Sequence, residues 1–248
     1  MLVPLVVASP ASAASQAVDY VALGDSYAAG TGSSGSADSC GRRDTSYPAR
    51  WAAAHDVASY RLVACAAHTA EDLVTEQIPA LGAGTDLVTV TVGGNDIGFI
   101  NAVITCVLLG DDSCLAAMAD AASKIDTELA GRLDRAYAAI RAAAPGARVI
   151  VLGYPRLFEL GSCPGGLSLA KRVAMNDVAD RLDAAVAARA AAAGLVYADV
   201  RDAFDGHRVC SSDPWLNRVN LFALTSTYHP NDTGYARGYL AELAKITG

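Results

Sequence analysis

The sequence predicts a single three-layer α/β/α domain built on a mainly parallel central sheet. Three observations carry that reading. Short β-branched runs alternate with longer stretches of helical spacing, the order that produces a parallel sheet covered on both faces. The 248 residues are enough for one large core, and no repeat or linker divides them. Hydrophobic residues make up 52% of the chain and charged residues 18%, a balance that excludes a disordered or highly charged polymer.

The elements follow in chain order. Residues 18–23 (Val-Asp-Tyr-Val-Ala-Leu) form a buried strand that Gly24-Asp25 ends. A polar Gly/Ser-rich loop covers 30–44, and 46–55 is helical with Pro48 in its first turn. Residues 60–64 make a short strand. Thr69 and Asp72 form a capping pattern for a helix over 69–78. The run Leu-Val-Thr-Val-Thr-Val within 86–92 is a strand. A long alanine-rich helix over 115–144 stops at Pro145-Gly146. Strand 147–153 follows, then a second long helix over 168–193, closed by Gly194. Strand 195–198 and a final helix over 232–246 complete the domain.

Residues 1–14 read as the remnant of a secretory signal. An apolar run over 2–8 leads into Ala11-Ser12-Ala13, the small-x-small pattern of a cleavage site, so the folded domain is expected over 15–248. Cys40, Cys65, Cys106, Cys114, Cys163 and Cys210 are even in number and form no CxxC pair. Neither they nor His55, His68, His207 and His229 show the spacing of a zinc site. Disulfides in an exported protein are the expectation. Six cysteines permit fifteen pairings, roughly speaking any of them from sequence alone; Cys106 and Cys114 close a short local loop. With 26 acidic and 19 basic residues the net charge is −7, which argues against nucleic acid or an anionic membrane as the main partner. No apolar run reaches the roughly 18 residues of a transmembrane helix.

Ligands of open parallel sheets bind beyond the carboxyl ends of the strands. The residues standing there are Gly24-Asp25-Ser26-Tyr27, Cys65-Ala66-Ala67-His68, Gly93-Gly94-Asn95-Asp96 and Tyr154-Pro155-Arg156. They offer a serine, a turn with free N–H groups and an amide side chain. His229, just before the last helix, offers a base. Singly each piece is an ordinary turn or loop residue; together they supply the nucleophile, base and oxyanion donors of acyl transfer. Asp25 and Asp96 each follow a strand-end turn and read as carboxylates that hold the loops.

At these residues the sequence resembles the SGNH (GDSL) hydrolase superfamily, with a flavodoxin-like α/β fold implied. Gly24-Asp25-Ser26-Tyr27 resembles its first block, Gly93-Gly94-Asn95-Asp96 its asparagine block, and His229 its C-terminal histidine block. The cysteines look like those of secreted actinomycete esterases, lipases and phospholipases A. That resemblance implies the consecutive bonds Cys40–Cys65, Cys106–Cys114 and Cys163–Cys210. It also implies an oxyanion hole from the Ser26 and Ala67 N–H groups and the Asn95 amide.

Two departures from the family pattern bear on mechanism. Ala67 (or Ala66, one residue earlier) stands where the family has a glycine, and it is expected to serve if its φ is not positive. Ser226 stands where the family has an aspartate three residues before the histidine. A Ser26–His229 dyad is therefore expected, with His229 oriented by the carbonyl of Ser226 or Thr227. Asp232 is the competing acid and otherwise the cap of the last helix. Gly30-Thr31-Gly32-Ser33-Ser34-Gly35 imitates a dinucleotide loop without the helix it needs, and Ser168-Leu169-Ala170-Lys171 is a helix cap rather than an S-x-x-K site. The sequence thus reads as a secreted, monomeric serine ester hydrolase acting on lipid or small acyl esters, in passing contact with lipid aggregates and without a cofactor. A carbohydrate O-deacetylase is the alternative within enzymes, and a non-catalytic lipid or glycan binder the alternative outside them.

Overall fold

The computed structural model describes residues 17–248, and the expected signal remnant over 1–14 lies outside them. β1 (Val18–Gly24) buries five of its seven residues and leads into a single helical turn, α1 (Ser26–Ala29). α2 (Tyr47–Ala54) starts at Ser46, whose hydroxyl caps the Ala49 N–H, with Pro48 in the first turn. β2 (Val57–Leu62) follows. α3 (Ala70–Asp72) opens with a Thr69–Asp72 capping box and continues into a wider turn, Leu73–Gln77. β3 (Leu87–Thr91) is buried throughout.

α4 (Phe99–Leu108) and α5 (Asp111–Lys124) come next. A π-turn (Ile125–Leu129) joins α5 to α6 (Ala130–Ala143). β4 (Arg148–Leu152), α7 (Leu169–Ala192) and β5 (Val196–Ala198) complete the repeat of strand and helix. A π-turn (Gly234–Tyr239) runs into α8 (Leu240–Thr247).

All five strands are parallel, in the order β2-β1-β3-β4-β5. Right-handed crossovers in that order put α2 with α8 on one face and α3, α5, α6 and α7 on the other. Such a sheet is apolar on both sides, and the strand interiors are accordingly Val, Ile, Leu and Ala. The two polar residues of β3 are satisfied inside: the Thr89 hydroxyl bonds Tyr20 OH at 2.7 Å and that of Thr91 bonds Asp25. Three disulfides join Cys40 to Cys65, Cys106 to Cys114 and Cys163 to Cys210.

Three expectations about elements need correction. The strand expected at 60–64 runs instead over Val57–Leu62, because β2 is an edge strand with Ala58, Ser59 and Arg61 exposed and a weak apolar signal at its start. The helix expected from 115 begins at Asp111 and is interrupted by the π-turn. α4 was not expected. Its β-branched composition argues for a strand, and it starts at Gly98 (φ +70°) with no capping side chain. Tertiary ties hold it instead: the disulfide from Cys106, and the Lys171 ammonium on the Cys106 and Leu109 carbonyls at its carboxyl end.

Candidate active site

β1 and β3 end side by side where the strand order reverses, the position at which this topology opens a crevice. Gly24 permits the close approach. Its φ is +127°, and a Cβ there would collide with the Thr91 carbonyl. Asp25 then caps α1. One carboxylate oxygen accepts from the Tyr27 N–H (3.0 Å) and the Thr91 hydroxyl (2.7 Å), and the other from the Tyr154 hydroxyl (2.5 Å). Burial raises the Asp25 pKa to about 6, against the pull of those three donors. Asp25 thus fixes the turn on which Ser26 is the first residue.

His229 reaches Ser26 from the other end of the chain. Its Nε2 lies 2.7 Å from the Ser26 hydroxyl oxygen. The loop that carries it pairs backbone-to-backbone with Asn217, and the Asn217 amide also donates to the His229 and Gly32 carbonyls. Tyr228 directly before it has φ +59°, a conformation that a side-chain-bearing residue holds only where the surroundings dictate it. The Tyr27 ring lies 4.8 Å from the imidazole centroid. Burial lowers the His229 pKa to about 4, so the ring is neutral at pH 7 and Nε2 is free to accept.

Among the described residues no carboxylate reaches Nδ1. The Thr227 carbonyl favours the charged ring, yet its geometry falls short of a full hydrogen bond and Nδ1 is otherwise unpartnered among the described residues. The Ser226 carbonyl accepts from the His229 N–H at 3.2 Å, and of the two expected orienting groups it is the Thr227 carbonyl that acts on the ring. Asp232 pairs with Arg50 at 3.2 Å and accepts from the Ser34 N–H, tying α2 to the rim loop. It is not the helix cap either: the Asn231 side chain accepts from the Thr233 and Gly234 N–H groups.

Asn95 Nδ2 donates to the His68 carbonyl at 2.9 Å, which spends one amide hydrogen and leaves the second. Asp96 beside it accepts from the Ala70 N–H at 3.0 Å and faces Arg132; burial raises its pKa above the usual carboxylate range. Ala67 departs from expectation, with φ +68°. The turn is over-determined around it. Ala66 N–H bonds the Cys40 carbonyl, His68 N–H bonds the Cys65 carbonyl, and the Cys40–Cys65 disulfide ties the turn to the 30–44 loop. A residue with a Cβ accepts such a conformation at a cost of about 1–3 kcal/mol. The Ser26 and Ala67 N–H groups donate to no protein acceptor among the described residues. Ser26, Ala67, Asn95 and His229 all line one cavity of ≈ 150 Å³, whose far wall is Phe99, Ile100, Val103, Leu157 and Leu182.

The sequence matches the GDSL-like lipase/acylhydrolase family over residues 22–237. It belongs to that family. This acylhydrolase is 45% identical over 236 residues to a lipase of Streptomyces rimosus, covering 94% of this chain and 88% of that one. The crystal structure of the extracellular lipase from that organism superposes with a TM-score of 0.89, covering 92% of this chain and 99% of the other. A phospholipase A1 from Streptomyces albidoflavus NA297 superposes at 0.90 with 43% identity and the same coverage. Likeness to an acetylxylan esterase from Geobacillus stearothermophilus, at 16% identity and a TM-score of 0.54, extends only to the fold. The acylhydrolase is accordingly a carboxylic ester hydrolase of the SGNH type, in a single α/β domain.

Its site contains residues that sequence patterns did not single out. Tyr154 OH joins Asp25 to the Gly94 N–H, so one phenol ties the serine turn to the asparagine turn. Gln77 grips both the N–H and the carbonyl of Gly24, at 2.7 and 2.9 Å. Asn217 steadies the histidine loop. Tyr154 stood at a strand end and carried a faint signal; Gln77 and Asn217 lie on remote segments and carried none.

Proposed function

We propose that this acylhydrolase is a secreted enzyme that cleaves acyl esters of lipids, phospholipids included, through a Ser26–His229 dyad and an acyl-enzyme. The observation that carries the reading is the 2.7 Å hydrogen bond between Ser26 Oγ and a neutral, buried His229 Nε2. Nε2 takes the hydroxyl proton as Oγ attacks the ester carbonyl. The carbonyl oxygen gains charge and is met by the Ser26 and Ala67 N–H groups and the second Asn95 amide hydrogen. The tetrahedral intermediate collapses, His229 returns the proton to the leaving alcohol, and water repeats the steps in reverse on the acyl-Ser26 ester. The Thr227 carbonyl takes the orienting role at Nδ1–H, from a geometry short of a full hydrogen bond. A dipole there fixes the tautomer while doing less than a carboxylate to stabilise the imidazolium.

The wall of Phe99, Ile100, Val103, Leu157 and Leu182 suits an alkyl chain and offers a sugar nothing to hydrogen-bond, which favours lipid esters over acetylated glycans. The phospholipase A1 and lipase relatives support the same substrate class, and the extracellular lipase together with three disulfides supports export. A fluorophosphonate probe tests the reading. It should label Ser26 in the native protein and nothing in Ser26→Ala or His229→Ala, each of which should lose on the order of 10⁵–10⁶ in kcat on a short ester. Labelling at another serine, or turnover surviving in Ser26→Ala, overturns it.

A further inference from the structure

A second cavity of ≈ 540 Å³ lies beside the first, lined by Val107, Phe158, Leu167, Val209, Val219 and Leu221. Tyr228 lines both cavities as a common wall, and the Phe158 ring packs edge-on against it at 4.9 Å. Tyr228 directly precedes His229. That common wall therefore stands beside the Ser26–His229 pair. The groove is open at one side, where Leu221 is 66% exposed.

Arg218 also lines this groove. It makes no hydrogen bond or ion pair among the described residues, and no carboxylate lines the groove with it. In a chain with a net charge of −7, such an unpaired guanidinium stands apart. The catalytic cavity contains no lysine or arginine at all among its lining residues. An anionic group attached to the substrate thus finds its charged partner in the second groove and not in the first.

We infer that the second groove receives the acyl chain not being cleaved in a two-chain glycerophospholipid, with Arg218 meeting the phosphate. The inference rests on the lipid-ester reading proposed above. Two chains leave one glycerol in different directions within a few bonds of the scissile ester, and two grooves that share Tyr228 as a common wall match that branching. A guanidinium binds phosphate oxygens through paired N–H donors, which fixes the head group relative to the ester.

Three substrates dispersed as monomers below their aggregation limits test this: dihexanoyl phosphatidylcholine, hexanoyl lysophosphatidylcholine and p-nitrophenyl hexanoate. Leu221→Asp should lower kcat/KM about tenfold on the two-chain lipid alone. Arg218→Gln should lower it about tenfold on both phosphate-bearing substrates. Both variants should cleave p-nitrophenyl hexanoate at the wild-type rate, which also shows that they fold. If wild type cleaves the two-chain lipid and both variants match it, the groove is not a lipid site and the inference is overturned. Losses seen on vesicles but absent on monomeric lipid overturn it too, and assign these residues to bilayer contact. If wild type cleaves p-nitrophenyl hexanoate but neither phospholipid, the phospholipid part of the proposed function is what fails.

Discussion

Ser26 stands on a turn that grows directly out of the sheet, whereas His229 arrives on a loop from the far end of the chain. The serine turn is fixed by side chains: Asp25 gathers three donors, Gln77 grips Gly24, and Tyr154 links Asp25 to the asparagine turn. The histidine loop is fixed through its own main-chain groups, which pair with the backbone and side-chain amide of Asn217 and with the Tyr27 hydroxyl. Carboxylates are thus present in the site, but they hold the backbone at Ser26 and leave His229 alone. A buried acid near a serine hydrolase's reacting atoms need not belong to a triad. Its role is read from what it touches.

The first way to sharpen this contrast is on the serine side. Asn95→Ala should cost about 10²–10³ in kcat with a much smaller change in KM, because the amide acts on charge that develops in the transition state. Steady-state kinetics on a short ester decide it, and wild-type turnover in a folded variant removes Asn95 from the mechanism.

Tyr154→Phe probes the side-chain scaffold itself. It leaves one buried oxygen of Asp25 without a donor, at a cost of about 1–3 kcal/mol of stability. Burial raises the folded pKa of Asp25 from 3.8 to about 6, so what the protonated acid contributes is complete below 3.8 and lost as pH rises through about 6. Losing the Tyr154 donor moves that folded pKa further up. The deficit of the variant, measured by urea unfolding, should therefore be larger at pH 7.5 than at pH 5. An equal deficit at both values places the Tyr154 contribution outside the Asp25 carboxylate.

Asp232→Asn tests the histidine side and should do least. The ion pair with Arg50 is half-exposed at the Asp232 end, and such pairs contribute little, so activity should change by no more than about threefold. A loss of three orders of magnitude makes Asp232 a displaced triad acid.

The two regions also differed in how much of them could be read from sequence. The strand-end turns were legible because a parallel sheet concentrates its chemistry at the carboxyl ends, which made Ser26 and Asn95 visible as positions before any contact was known. The fold was legible for the same reason, through the buried runs of β1, β3 and β4. α4 was not, since its helix is imposed by the Cys106 bond and by Lys171 rather than by its β-branched residues. Nor was the conformation of Ala67, where a disulfide and two backbone hydrogen bonds impose a φ that alanine does not choose. Nor was the cap of the last helical segment, which falls on Asn231, one residue before the expected Asp232. Long-range ties decided each of these cases, and they leave no local pattern.

The central claim, that the main chain and not a carboxylate orients His229, is tested most directly by the pH dependence of kcat/KM on an uncharged short ester. Protonating the imidazole removes the base, so activity rises with pH through the pKa of His229 in the free enzyme. Burial without a carboxylate partner holds that pKa at about 4, and the account predicts a single ascending limb with its midpoint near there and a plateau by pH 6. A carboxylate at Nδ1 favours the imidazolium and drives the pKa up. A midpoint at or above the ordinary histidine value of about 6.5 contradicts the account.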